Sequence, residues 1–502
     1  MKDLGVLVTK VKTDHQISSV GVWHTIGAYW HGVEPAKFKD NYKLVKITKD
    51  DYPGPWETKG YTYYIPHPSD VGRFFSDYYA KLASFGISHT KCDNMASLDS
   101  IASASTFTTS SQDIEESVDV PSLRVAYKNA VKAAALKHFG GADKGKVIWC
   151  MEMSPRVLLG REIGFHSGGT RYVCRNSDDY FPTTLDQYPN HIFSNAINAT
   201  FTSRLNVIPD FDMVSVMPNT HRRPTHVQFQ FQSKPDSTTQ GLGAYHAAFR
   251  AFGAGPVTIT DSASRTDTGV TNKLLGKAPE SNHSIALQAR SSPWVSEAVF
   301  DTNLLGSGTG RALRIFSRDS APGVHGGMVG YWNVRKDNGK VEDSISLDDI
   351  REVVAVSPYT KLGKYAIWSH TKSKLFVADF TASTPSISPS TTSDLSISLA
   401  PFSFEIVTIS AIDNGIAALG LIDKYNPLGG IISHHWEENF HQLEMKSFGR
   451  VGFFADAMPP PFVEVGGRFV QCELIAEDSG YLLALDLDET YEDLTITLYH
   501  RR

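Results

Sequence analysis

Two acidic sites stand where a sugar chemistry would need them. Asp93 closes the run GISHTKCD, two residues after Lys91. Asp178 and Asp179 close RYVCRNSDD, three and four residues after Arg175. Two carboxyl groups on one rim suit the cleavage of a glycosidic bond. One attacks or stabilises an oxocarbenium-like carbon, and the other delivers a proton to the leaving oxygen. A cation beside a carboxyl favours its charged form, and carboxyl groups held close together push each other's pKa values apart, which supplies a proton donor. Aspartate after a strand also caps the next helix, so the residue pattern alone leaves a structural and a catalytic reading open.

The elements that must position these groups alternate. Ser69 and Asp70 precede Phe74, Phe75, Tyr78, Tyr79, Leu82 and Phe85, spaced three and four apart, and Gly86 follows. This is a helix with a start and a stop signal. Further helical patterns cover about 121–139, 191–205 and 242–252, with short apolar runs between them. Each run ends in a polar side chain: His24 after VGVW, then Asp93, Glu152, Asp178, Asp212 and Asp261. Strand–helix alternation predicts parallel β structure with crossover helices. One functional group per strand end suits a (β/α)8-type barrel better than a doubly wound sheet, which gathers such groups at a switch point. About six strands precede residue 265. The others are expected either within 262–310 or in a barrel that is incomplete at its N-terminus. From 311 onward the pattern becomes short, β-rich and turn-punctuated (LRIFSR, GGMVGYWNV, KYAIWSH, KLFVADF), which predicts an antiparallel β-sandwich. The expected division is therefore a catalytic barrel domain over 1–310 and a sandwich domain over 311–502. The Ser/Thr-rich stretch 381–395 reads as a mobile loop or strand-poor linker, and 101–112 as a polar loop over the active face.

Five segments in order carry a family resemblance: GVWHTIGAYWHGVEP (21–35), SDYYAKLASFGISHTKCD (76–93), RNSDDYFP (175–182), PDFDM (209–213) and AYHAAFRAFGAGPVTITD (244–261). Together they resemble the raffinose synthase and seed imbibition protein family, which belongs with the family 36 glycoside hydrolases of the α-galactosidase clan. The resemblance implies a retaining enzyme acting on α-galactosides through a covalent galactosyl-aspartate. Asp93 matches the nucleophile and Asp178 the general acid/base, with Asp179 the alternative for that role. Lys91 and Arg175 are expected to bind sugar hydroxyls and to bias the two carboxylates. Trp23 is a stacking surface, and Asp212, His246 and Asp261 are supporting or binding positions. No metal and no organic cofactor are implied, and the partner is a small oligosaccharide. Hydrolysis is the first expectation. Galactosyl transfer to make raffinose-type sugars, or a truncated carbohydrate-binding remnant, are the alternatives. Full-length relatives carry an N-terminal β domain and two more barrel strands, one ending in paired aspartates, which nothing here matches. The polar segment 222–241 has no counterpart in the family.

Composition narrows the classes further. The 502 residues hold 48 Lys and Arg against 54 Asp and Glu, a formal charge of −6, so no electrostatic footprint for nucleic acid or an anionic membrane is expected. There is no apolar run of membrane-spanning length. The N-terminal MKDLGVLVTKVKTDHQ lacks a signal-peptide core, so a cytoplasmic location is expected. Cys92, Cys150, Cys174 and Cys472 are read as reduced core residues. HHWEENFH (434–441) lacks the H-E-x-x-H order of a zinc motif. GSGTGR (306–311) reads as a turn. Trp30 is read as a core aromatic.

Overall fold

In the computed structural model, residues 2–30, 32–49, 61–97, 108–109, 120–140, 144–152, 171–181, 184–202, 207–216, 242–261, 264, 266–281, 283–301, 303–306, 310–319, 321–355, 357, 359–389, 395–460 and 462–499 are described. The segment 222–241, nearly all of 101–112 and part of 306–311 lie outside them. The chain divides into two compact units. The first comprises 1–178 and 204–210, the second 179–203 and 211–502.

The first unit is built on a five-stranded parallel sheet in strictly sequential order: β1 (Gly21–Thr25), β2 (His89–Asp93), β3 (Lys144–Trp149), β4 (Arg171–Arg175) and β5 (Val207–Asp210). Three helices of this unit matter to it: α1 (Lys2–Asp14), α2 (Val71–Ser84) and α3 (Val120–Phe139). α2 forms where the aromatic three-and-four spacing predicts it and buries Phe74, Phe75, Tyr79 and Leu82. Asp70 sits at its N-cap position, but its carboxylate accepts the Lys43 N–H at 2.8 Å rather than capping the helix. Gly86 and Gly140, at φ +84° each, stop the chain after α2 and α3, a conformation that glycine enters without strain. α3 turns Leu123, Tyr127, Val131 and Ala135 into the same core as the α2 aromatics.

The parallel register decides which side chains share a face. Trp23 pairs with Lys91 and Thr25 with Asp93. His24 pairs with Cys92, Cys92 with Trp149, and Trp149 with Cys174. Strand side chains alternate faces, so the second row lies on the helix-covered side. There Cys92, Trp149 and Cys174 join the α2 and α3 core. The four cysteines are free and buried, as expected.

The second unit contains α4 (Tyr188–Thr202) and α5 (Leu242–Arg250), both near their predicted places. The sixth expected strand is a two-residue parallel pairing of Thr258–Ile259 with Met213–Val214. Among the described residues, 262–310 adds no parallel strand. Leu275–Lys277 and Ser284–Ala286 form an antiparallel ribbon, and Trp294–Val295 joins the antiparallel sheet that follows. That sheet has seven strands, running in space from Trp294–Val295 through Leu313–Arg318, Gly326–Trp332, Phe404–Ala411, Lys364–Ser369 and Lys374–Asp379 to Ser386–Ser388. The Ser/Thr-rich stretch read as a linker thus supplies an edge strand, because Ser386–Ser388 pairs with Val377–Asp379. Two further antiparallel sheets follow. One has four strands (Ile416–Leu421, Gly449–Ala455, Gly480–Leu487, Glu473–Glu477) and one has five, which includes the hairpin Ile431–Glu437 and Phe440–Met445. Ala366, Trp368 and Leu375 of the seven-stranded sheet share a core with Ala417, Leu419, Phe454 and Leu482 of the four-stranded one. Phe453, Leu483 and Leu485, on the opposite face of that middle sheet, pack with Leu443, Val463 and Ile496 of the five-stranded sheet. The β-rich C-terminus is a face-to-face stack of antiparallel sheets, as its short, turn-punctuated β-rich runs predict. No described helix is long and apolar enough to cross a membrane.

Candidate active site

Asp93 is the last residue of β2, 9% exposed. Its two carboxylate oxygens are held by different donors. The Trp23 indole Nε1–H donates to Oδ2 at 2.8 Å, and the Asn94 backbone N–H donates to Oδ1 at 2.6 Å. Asn94 can turn its amide back because it adopts φ +61°, where asparagine carries a smaller penalty than most residues. Two donors, one from β1 and one from the β2 end, fix the orientation of one side chain, as a nucleophile requires.

Cys150 is the meeting point that sequence reasoning missed. Burial pushes its thiol well above the usual range, so it stays a neutral donor. The charges that act on it are Arg175, Asp93 and Lys91. Arg175, at the end of β4 and fully buried, donates from Nη1 to Cys150 Sγ at 3.5 Å. Arg175 thus reaches the residue that follows β3, the strand between β2 and β4. The signal lay in WCMEM: a small residue directly after an apolar run, flanked in space by two functional strand ends.

Asp178 stands exposed three residues beyond β4. β4 is two places from β2 in the sheet, so their backbones are roughly 10 Å apart. Trp23, on β1, is 38% exposed and borders the same end.

The other expected residues belong to the second unit. Asp179 is exposed. Asp212 is buried at φ +63°, and its Oδ2 accepts the Tyr180 N–H at 2.7 Å. Asp261 accepts from Ser215 Oγ and from the Val216 N–H, both at 2.7 Å. His246 of α5 is fully buried among Tyr180, Tyr188 and His191. Its Nδ1 accepts from Arg250 Nη1 at 3.0 Å. Burial and the Arg250 charge hold it well below the usual histidine range, so it is neutral.

Two strand-end readings and one core reading need correction. His24 faces the helix layer, 1% exposed, with Nε2 2.8 Å from the Tyr79 hydroxyl. Its place in the alternation of β1 is opposite to that of Trp23. Glu152 is fully buried and pairs with Lys128 of α3 at 2.6 Å. Trp30 is not a core residue but 50% exposed. In HHWEENFH, His434 and His441 face each other inside a hairpin, with ring nitrogens 3.2 Å apart. Among the described residues no group of His, Cys, Asp and Glu is arranged to hold a metal.

The model of a family described as raffinose synthase or seed imbibition protein Sip1 matches residues 2–473. Among curated proteins, the probable galactinol–sucrose galactosyltransferase 1 of Arabidopsis thaliana is 22% identical over 504 residues, which take in 93% of this chain and 58% of that protein. The galactinol–sucrose galactosyltransferase of Pisum sativum is 23% identical over 474 residues, taking in 88% and 52%. The chain thus spans little more than half the length of these relatives. Among solved structures, the α-galactosidase of Saccharomyces cerevisiae with raffinose overlays at a TM-score of 0.44 and 10% identity, covering 81% of this chain and 83% of that one. At that distance no residue role passes from one to the other.

Proposed function

We propose, given that the chain belongs to the raffinose synthase or seed imbibition protein family, that it processes α-galactosides by a retaining double displacement. The observation that carries this reading is the Asp93 carboxylate held by the Trp23 indole N–H and the Asn94 N–H at the end of its strand. An Asp93 oxygen attacks the anomeric carbon. The glycosidic C–O bond breaks, its electron pair passes to the leaving oxygen, and that oxygen takes a proton from Asp178. Water or a sugar hydroxyl then attacks the galactosyl-aspartate, returns a proton to Asp178 and frees Asp93. Asp179 is the alternative acid/base. Lys91 and Arg175 bind hydroxyls and stabilise the anionic side of the reaction, and Trp23 offers a ring face to the sugar. Asp212, His246 and Asp261, expected as supporting or binding positions, hold backbone and rings within the second unit. Residues 1–310 would carry this chemistry on a (β/α)8-type barrel, and 311–502 would form the accessory sandwich domain. The chemistry requires no metal or organic cofactor.

Hydrolysis is the first form of this reading. Transfer to a second sugar is the other, favoured by relatives named galactinol–sucrose galactosyltransferase. Replacing Asp93 by Asn keeps the Trp23 contact and removes the nucleophile. Release of p-nitrophenol from its α-galactoside is expected to fall at least about a thousandfold, with an unchanged circular dichroism spectrum. Asp178→Asn is expected to lose roughly 10²–10⁴-fold, least with good leaving groups. Retained turnover in Asp93→Asn would remove Asp93 from the mechanism. Galactinol supplied with sucrose gives raffinose if transfer operates, and free galactose if hydrolysis does.

A further inference from the structure

Three exposed aromatic rings cluster beside Asp93, and only Trp23 has a place in the reaction above. Tyr29 is 60% exposed and Trp30 50%. The Trp23 and Trp30 ring centroids lie 5.3 Å apart with planes inclined at 45°, and Tyr29 meets Trp23 edge-on at 6.2 Å. A contiguous exposed apolar patch marks an interaction site more often than chance. Rings with an apolar face and a polar handle suit a ligand that is half apolar and half wet.

The rings are carried on a turn that is fixed to the nucleophile's own strand. The Ile26 N–H donates to the Asp93 carbonyl at 2.8 Å, and Ile26 is buried. The Ala28 N–H returns to the Thr25 carbonyl at 2.9 Å, with Ala28 at φ +80°. That is an unfavourable conformation for alanine, of the kind retained where the surroundings enforce it. Downstream, the Gly32 N–H reaches the Tyr29 carbonyl at 2.9 Å, and the Val33 N–H reaches the Tyr64 carbonyl at 2.8 Å. Gly32 sits at φ +68°, where any Cβ would collide with the Tyr64 carbonyl. The turn is thus anchored at both ends, and its aromatic side chains are presented to solvent.

We propose that Tyr29 and Trp30 form the platform for the sugar ring on the far side of the scissile bond: the leaving ring of the donor, and the acceptor ring in transfer. The proposal rests on Asp93 as the nucleophile. Because the Trp23 indole N–H is bound to Asp93 Oδ2, the sugar joined to Asp93 occupies the space against Trp23. The next ring along the oligosaccharide then meets the next aromatic side chains outward. The C–H face of a pyranose packs on an indole or phenol ring while its hydroxyls stay in water, so the platform selects for a glycosyl leaving group or acceptor without reading individual hydroxyls.

The test uses the full chain. Raffinose and galactose are titrated calorimetrically into Asp93→Asn, and into Asp93→Asn carrying Trp30→Ala, Tyr29→Ala or Trp30→Phe. Trp30→Ala is expected to weaken raffinose at least tenfold more than galactose, with Trp30→Phe restoring most of the loss. In the otherwise unaltered protein, kcat/KM for raffinose should fall at least tenfold more than kcat/KM for α-galactosyl fluoride, whose leaving group is too small to reach the platform. Equal losses for the two ligands, or no raffinose binding by the parent, overturns the platform. Undiminished turnover by Asp93→Asn overturns the catalytic reading instead, and the raffinose comparison still judges the platform on the binding data.

Discussion

A titratable side chain shows its role by the company it keeps, and His24 and Asp93 sit one row apart with opposite company. Asp93 is met by donors. His24 is met by the Tyr79 hydroxyl and the Thr25 carbonyl inside an aromatic cluster. Burial lowers the His24 pKa to about 4, against the opposing pull of the Thr25 carbonyl and the Asp93 charge. In the unfolded chain the same ring titrates near 6.5. The folded value is depressed, so the unfolded state binds the extra proton between these limits. The contribution is complete above about pH 6.5 and is lost as pH falls towards 4. Over that window the protein should lose up to roughly 3 kcal/mol more stability than His24→Gln. Urea unfolding at pH 7, 5.5 and 4 measures this, and parallel losses in the two proteins would show that His24 is not held neutral. Residue type announced a polar strand end at His24, at Glu152 and at Asp93 alike. Only the face each side chain occupies separated them.

At the scale of elements, the alternation of β1 and β2 sorts chemistry from packing. A shift of one residue in the register would send Cys92 to the active end and bury Asp93 against α2. The Lys128–Glu152 pair fixes α3 to the end of β3. Both members are almost wholly buried. Removing one partner leaves a buried charge uncompensated, which costs roughly 3–5 kcal/mol, whereas apolar replacement of both partners costs little. Lys128→Met alone should therefore lower the thermal midpoint sharply, and Lys128→Met with Glu152→Leu should recover most of it. Scanning calorimetry of the three proteins decides the point. If the double variant is no better than the single one, the pair has a role beyond its own neutralisation. The strands and helices themselves were legible because their periods are local. The exposure of Trp30 was not, because it depends on a turn whose geometry is set by the Tyr64 carbonyl, more than thirty residues away.

At the scale of the molecule, a few large rings pack the seven-stranded sheet of the second unit against its α5 region. Trp332 is fully buried. It stacks on Phe404 at 5.6 Å and meets Phe249 and Phe252 of the α5 region edge-on at 5.9 and 5.3 Å. Its replacement by Ala should cost about 3–5 kcal/mol, read as a lower guanidinium midpoint by near-ultraviolet circular dichroism. An unchanged midpoint would mean that the neighbouring rings close the cavity.

The sequence by itself determined the places of the main helices and of the parallel strands, the parallel-then-antiparallel change, the free cysteines and the identity of the acidic strand ends. Each of these follows from spacing along the chain or from residue chemistry. The tertiary structure alone decided that Arg175 reaches Cys150, that Glu152 is spent on Lys128, and that Tyr29 and Trp30 face solvent beside Trp23. Those outcomes depend on strand register and on contacts between residues far apart in the chain. Local periodicity carries no information about such pairings, because it fixes the side on which a residue lies but not the partner it meets there.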